Sequence, residues 1–363
     1  MGEKFLITGG AGFIGSAFCR FLINKTNNKA VIVDKFSYGS NKNSLSTIKN
    51  SKRVKIYAED LCEYEAIKKI LIKENPDKII HFAAETHVDH SIENPKKFFM
   101  NNLLATFNLL EIAKHYYTTY HKNKKFLFHH VSTDEVFGDS FDQSVKSTES
   151  SAYLPNSPYS ATKAGSDHLV RAWGKTFCLP VTISYSSNNF GSFQANDKLI
   201  PKVIKNAIEE KTIPIYGDGL QKRNWIYVDD NVSAIYKIAT KSSAGEKYNI
   251  AGINEITNID VVKMICKKID YYFLKKYKIL RQSHKLIRFV NDRVAHDKVY
   301  SIDSSKIRKK FKWNEVENFE SNLEKTIKWY FENSVLDLPK TQEINSNYLN
   351  ISKTKENGNF LNI

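Results

Sequence analysis

The strongest constraint on the fold is an alternation in the first half of the chain. Short, β-rich apolar runs lie at residues 4–8 (KFLIT), 30–34 (AVIVD), 54–60 (VKIYAED), 78–84 (KIIHFAA), 125–133 (KFLFHHVST) and 181–189 (VTISYSSNN). Their near-continuous apolar character suits strands buried on both faces of a parallel sheet. Between them run amphipathic helices. Ile14, Ala17, Phe18, Phe21 and Leu22 recur at i, i+3, i+4, i+7 and i+8, and Ala66, Ile67, Ile70 and Leu71 form a second stripe that Pro76 terminates. Repeated β–α–β units require right-handed crossovers, which predicts an α/β fold with a doubly wound parallel sheet.

Beyond about residue 190 the alternation loosens. Strand candidates at 213–216, 225–228 and 247–250 mix with helices near 198–210, 230–240, 258–276 and 318–334. A smaller C-terminal α/β lobe over the carboxyl edges of the sheet accounts for them. The expected division is residues 1–190 for the first domain and 191–335 for the second, with some elements of the second returning to the first. Residues 336–363 lose periodicity, are rich in Asn, Ser, Lys and Thr, and read as a disordered tail.

A turn rich in glycine, Gly9-Gly10-Ala11-Gly12-Phe13-Ile14-Gly15, joins the first strand to the first helix. Gly9 permits a tight turn, Gly12 lets backbone approach a pyrophosphate, and Gly15 lets helix pack against strand. The helix N-terminus then offers free N–H groups to the anion. Asp34 closes the second strand about twenty residues on, where a carboxylate accepts from ribose hydroxyls and repels a 2′-phosphate. This is a Rossmann-type site, and the acidic residue favours NAD over NADP. Asp60 and Leu61 are placed to meet the adenine edge, although Asp60 serves equally well as a helix cap.

Tyr159 and Lys163 stand at i and i+4, on one helix face. A phenol ionises near pKa ~10, and a neighbouring ammonium with a positive nicotinamide ring is expected to lower that value. The pair then deprotonates an alcohol as hydride leaves its carbon. A surface Tyr beside a solvated Lys is the plain alternative, which the upstream glycine turn disfavours. Thr133, Asp134 and Glu135 follow the fifth strand at the ligand-binding edge. Thr133 can bond the same hydroxyl as Tyr159. Two adjacent carboxyls can be split in pKa into an acid and a base, as elimination of water β to a ketone requires, or they can simply cap a helix.

Ordered motifs run along residues 3–335: GGAGFIGSAF (9–18), HFAAETHVDHSIENP (81–95), VSTDEVFGD (131–139), YSATKAGSDHLVRAW (159–173), NNFGSFQ (188–194), KLIPKVI (198–204), RNWIYVDD (223–230) and FVNDRVAHD (289–297). Through them the chain resembles the extended short-chain dehydrogenase/reductases, and within these the nucleotide-sugar 4,6-dehydratases. The resemblance implies that Phe13, Ile14, Asp34, Lys35, Ser37, Asp60, Leu61, Ala83, Ala84, Asn189, Tyr159 and Lys163 contact NAD. It implies a sugar-nucleotide site built from Thr86, Thr133, Asn188, Lys198, Leu199, Pro214, Tyr216, Arg223, Asn254, Arg293 and His296. Arg223 and Arg293 carry planar forks suited to a pyrophosphate, with ordinary surface ion pairs as the other reading. Phe137 stands where the family usually has Tyr, and Val294-Ala295 replaces a common Pro-Gly. Helices around 101–120 and 159–177 match those that pair relatives into homodimers.

The implied reaction is lyase chemistry. Tyr159 takes the 4-hydroxyl proton as C4 is oxidised, Glu135 removes the proton at C5, Asp134 protonates the departing C6 oxygen, and hydride returns to C6. The implied substrate is dTDP-glucose, with UDP-glucose or UDP-N-acetylglucosamine as alternatives. The two bases differ by one methyl and one hydroxyl, worth only about 1–3 kcal/mol in a pocket. A UDP-hexose 4-epimerase needs the Tyr and Lys but no eliminating pair, and a UDP-glucuronate decarboxylase needs no Asp acid.

Composition excludes some other classes. The formal charge is +15, but only eight of 54 basic residues are Arg and the Lys are scattered, so neither nucleic acid nor membrane is expected as a partner. Cys19, Cys62, Cys178 and Cys266 are too dispersed for a zinc site and read as reduced thiols. With no apolar run of about 18 residues and no charged-then-apolar leader, a soluble cytoplasmic chain is expected.

Overall fold

A computed structural model describes residues 2–121, 125–140, 145–294 and 296–333. The expected tail at 336–363 lies outside these residues, as does Ala295. Seven parallel strands form the main sheet: β1 (Lys4–Thr8), β2 (Lys29–Asp34), β3 (Val54–Ala58), β4 (Lys78–His81), β5 (Leu127–Thr133), β6 (Val181–Ser186) and β7 (Lys247–Ile250), in the order β7-β6-β5-β4-β1-β2-β3. The order reverses between β1 and β4, and ligands of doubly wound sheets bind at such a point.

The central strands are buried on both faces, and all seven residues of β5 are buried. Of its polar members, His129 finds partners on β6, its ring nitrogens lying 2.9 Å from Thr182 Oγ1 and 3.0 Å from Ser184 Oγ. β3 departs from the expectation of two-sided burial. As the sheet edge it has one neighbour, and its residues are half-buried or exposed.

Helices α1 (Phe13–Lys25), α2 (Tyr64–Glu74), α3 (Ala105–Tyr116) and α4 (Pro158–Thr176) cover the sheet. Ala17, Phe18 and Leu22 of the first stripe are fully covered, whereas Ile14 and Phe21 remain half-buried at its margin. α2 ends at Glu74 with Asn75 in the left-handed region, one residue before Pro76. α4 starts with a capping box of Ser157 and Ser160 and with Pro158 in the first turn.

The longer helices that follow are α5 (Leu199–Ile208), α6 (Val228–Lys241), α7 (Asn258–Tyr277) and α8 (Phe319–Asn333). α5, α7 and α8 share a separate core with Ile200, Val203, Val262, Ile265, Phe273, Leu323 and Ile327 buried. By contrast, Val232, Ile235 and Ile238 of α6 and Tyr248 and Ile250 of β7 pack with Phe5 and Ile7 of β1. The chain therefore returns to the first layer after residue 225. Small strands at Lys222–Asn224, Glu255–Thr257, Ile287–Val290 and Val299–Tyr300 join the elements of the second lobe. They have too few residues to show a period of two, so the sequence gives no sign of them.

Candidate functional site

Above the carboxyl ends of β1, β2, β4, β5 and β6 lies one continuous cavity. It runs from Gly9, Gly12 and Gly15, past Asp34 and Asp60, across Thr133, Asp134 and Glu135, to Asn188 and Lys198. Gly9 is in the left-handed region at φ 66°, and a Cβ there would stand 2.7 Å from Ala83 backbone. A Cβ on Gly15 would stand 2.2 Å from the Gly9 carbonyl oxygen. Only glycine lets the turn fold under the first turn of α1. The backbone amides at that N-terminus are thereby presented to the cavity, a cradle that fits a pyrophosphate.

Asp34 sits at the end of β2, 8% exposed, with Ala11 N–H donating to Oδ2 at 2.9 Å and Phe36 N–H donating to Oδ1 at 2.8 Å. Burial raises its pKa and these amides oppose the shift. The carboxylate thus ties the glycine turn to β2 while each oxygen keeps lone-pair capacity toward the cavity. Asp60 lines the cavity, pairs with Lys35 Nζ at 3.1 Å, and accepts from Cys62 N–H at 3.0 Å in the turn before α2; it is not the helix cap, since the N-cap position falls on Glu63. Phe13, Ile14, Ser37, Leu61, Ala83, Ala84 and Asn189 line the same cavity. This set fits a dinucleotide with an unphosphorylated ribose.

A single 3₁₀ turn, Asp134–Phe137, carries the carboxyl pair off the end of β5. Thr133 caps it by accepting from Glu135 N–H at 3.3 Å, and Gly138 ends it at φ 75°, where a Cβ would stand 2.1 Å from the Leu154 carbonyl oxygen. Asp134 is 3% exposed and its Oδ2 has no hydrogen-bond partner. Burial first, then the neighbouring Glu135 charge, pushes its pKa up to about 7, against the pull of Arg223. Burial also raises Glu135, but Arg293, Arg223 and Lys198 pull it down. The two environments therefore differ as an acid and a base require. Phe137 packs at 5.0 Å from the Tyr185 ring and 5.6 Å from Tyr153, whose hydroxyls bond each other at 2.5 Å. Their polar ends are satisfied there without a hydroxyl on residue 137.

Tyr159 and Lys163 both face the cavity and are 7% and 4% exposed. The expectation that Lys163 lowers the Tyr159 pKa needs correction for this structure. Burial drives the phenol well above its usual value, Glu135 adds to the rise, and a hydrogen bond with Thr133 opposes it. Lys163 instead donates to the Val131 carbonyl at 2.9 Å and lies 3.3 Å from His130 Nε2. Its own pKa is pushed down to about 8 by burial.

Of the residues expected at the sugar nucleotide, Thr86, Thr133, Asn188 and Lys198 line the cavity and the rest lie beyond its lining. Leu199 opens α5, and Pro214 and Tyr216 belong to the strand Ile213–Tyr216. Tyr216, Arg293 and His296 cluster: Tyr216 OH donates to Asp89 Oδ2 at 3.3 Å, Arg293 lies 3.8 Å from Asp89 Oδ1, and His296 Nδ1 lies 2.6 Å from Asp292 Oδ1. Arg223 is 4% exposed, donates to the carbonyls of Lys222, Asp297 and Lys298, and stacks 4.2 Å over Tyr300. Asn254 is exposed. Among lining residues that sequence reasoning missed, His87 Nε2 lies 3.2 Å from Asp197 Oδ2, and Tyr38 OH donates to the same oxygen at 3.4 Å. His87 lies within the segment 81–95, but nothing in sequence couples it to Asp197, 110 residues on.

A family model described as GDP-mannose 4,6 dehydratase matches residues 6–326. A dTDP-glucose 4,6-dehydratase of Escherichia coli is 46% identical over 340 residues, covering 91% of this chain and 94% of the relative. The chain belongs to the dTDP-glucose 4,6-dehydratase family. A family member from Neisseria meningitidis serogroup B is 44% identical over 333 residues, with 91% and 94% covered. A solved dTDP-glucose 4,6-dehydratase of Streptomyces venezuelae, with NAD and a second ligand bound, superposes with TM-score 0.83 at 34% identity, covering 91% and 97%. A UDP-glucose 4-epimerase of Thermotoga maritima, 22% identical with TM-score 0.79, shares the fold.

Proposed function

We propose that this dehydratase converts dTDP-glucose to dTDP-4-keto-6-deoxyglucose with NAD as a resident cofactor. The observation that carries the reading is the convergence of Tyr159, Thr133, Asp134 and Glu135 on the cavity that also holds the glycine cradle. Bound NAD supplies reversible two-electron redox chemistry at the sugar. Tyr159 receives the 4-hydroxyl proton and Thr133 orients that hydroxyl. Glu135, made more basic by burial and steadied by three cations, takes the proton at C5. Asp134 holds its proton up to about pH 7 and delivers it to the C6 oxygen, which leaves as water.

An epimerase has no use for two neighbouring carboxyls, one buried and one half-buried among cations, so the acid–base pair favours elimination. The names and 46% identity of the relatives support a dTDP-linked sugar over a UDP-linked one. The cluster of Tyr216, Arg293 and His296 and the nearby Arg223 form the nucleotide side in this reading, with residues 1–190 holding NAD and the catalytic groups. We also assign a homodimer in the cytoplasm. Exposed Phe107 and Phe177 flank Trp173 at 5.7 and 5.5 Å across α3 and α4, an apolar face that a second copy would cover. All four cysteines are free, and among the described residues no helix is long and apolar enough to cross a membrane.

Turnover on dTDP-glucose, UDP-glucose and UDP-N-acetylglucosamine, measured side by side, tests the substrate. Efficiency at least about tenfold higher on dTDP-glucose is expected. Equal or better turnover of a UDP sugar contradicts the assignment.

A further inference from the structure

Tyr159, Lys163 and Asp167 follow at four-residue steps along α4 and share one face. The first two are the pair the sequence singles out for catalysis, and the assigned proton transfers leave Asp167 and its neighbour His130 without a task. Lys163 Nζ lies 3.3 Å from His130 Nε2, the same nitrogen lies 3.3 Å from Asp167 Oδ1, and Ser132 Oγ donates to Asp167 Oδ2 at 2.7 Å. Lys163, His130 and Asp167 are 4%, 0% and 1% exposed.

An ammonium buried against a carbonyl and an imidazole has hydrogen-bond acceptors but no countercharge, a costly state. Burial and the Lys163 charge keep His130 neutral. Its Nε2 accepts from Lys163, and at 3.3 Å from Asp167 Oδ1, an oxygen with no hydrogen-bond partner, the ring spaces the ammonium from the carboxylate. Asp167 is the carboxylate whose field supports the charge on Lys163.

We infer that Asp167 is a positioning residue: acting past His130, its charge keeps Lys163 an ammonium, held at the Val131 carbonyl on the helix face shared with Tyr159. The inference rests on the proposed role of Tyr159 as the base at C4. Other groups face the pair from His81 on β4, His129 and His130 on β5, Tyr185 on β6, Lys247 on β7, His168 on α4 and Tyr153 before it. Burial holds the three strand histidines neutral and raises both tyrosines, so Asp167, at about 6, and Lys163, at about 8, are the strand-side pair that titrates near neutrality.

The test is the Nζ titration of Lys163 followed by ¹⁵N NMR, assigned by its loss in Lys163→Ala. Asp167→Asn keeps the side-chain shape and the bond from Ser132. It is expected to move the titration down by about one unit. The alkaline limb of the kcat profile should move with it, giving about fivefold less activity at pH 8, while KM changes less than about twofold. Asp167→Glu should restore both. An unchanged Nζ titration overturns the inference even if activity falls. Should Asp167→Asn yield no folded protein, Ser132→Ala, which frees Oδ2, should shift the titration the same way by less; no movement there overturns it as well. If the parental enzyme turns over no nucleotide hexose, the functional reading fails separately, and the Nζ titration still decides the part played by Asp167.

Discussion

At the residue scale, Asp134 is where burial does the most for the chemistry. A carboxyl with a pKa of about 7 retains the proton that the C6 oxygen needs. The elimination step should therefore slow by about tenfold per pH unit above 7. The same shift acts on stability. A carboxyl raised from 3.8 stabilises the fold fully below that value and loses the contribution as pH climbs through about 7. Asp134→Asn removes the ionisation, so it should stop elimination yet raise the melting temperature at pH 8 by about 4 °C or more, seen in a calorimetric scan. A variant that dehydrates at the parental rate, or melts lower at pH 8, contradicts this assignment. The identities of Tyr159, Lys163, Asp134 and Glu135 were legible because helical spacing and strand-end placement are local. Their electrostatics were not. Burial of Tyr159 beside Glu135 and diversion of Lys163 to Val131 arise from tertiary packing, which no spacing encodes.

At the element scale, the expected strands 54–60, 78–84 and 181–189 overran their observed ends at Ala58, His81 and Ser186. The surplus residues, among them Asp60, Ala83, Ala84, Asn188 and Asn189, line the cavity instead. Phe82, Ala83 and Ala84 continue the apolar pattern of their strand, whereas Asp60, Asn188 and Asn189 are poor strand formers and mark where the chain leaves the sheet for loops over its carboxyl edge. The glycine turn is the element whose reading was most complete, since its conformation is local. Gly15→Ala puts a Cβ into the Gly9 carbonyl, so affinity for NAD should fall by more than about tenfold in titration calorimetry. Parental affinity would mean that α1 is not held against the turn by this close approach.

At the scale of the whole molecule, fold class followed from the alternation of elements, but the path of the chain after residue 190 did not. β7 and α6 rejoin the first layer because their apolar faces match β6 and α1, a pairing between segments far apart in sequence. The aromatic face on α3 and α4 gives a separate expectation. Phe107→Glu with Phe177→Glu should turn a dimer into a monomer in sedimentation equilibrium, because two charges cannot be desolvated there without partners. A parental protein that sediments as a monomer contradicts the assembly. Catalysis itself joins residue and molecule in one claim, that the atom leaving C4 comes back at C6 of the same sugar. Its most direct measurement is the fate of deuterium in dTDP-[4-²H]glucose. The expected product has lost water and carries the label at C6. Label released to solvent, or a C4 epimer with its C6 hydroxyl intact, contradicts it.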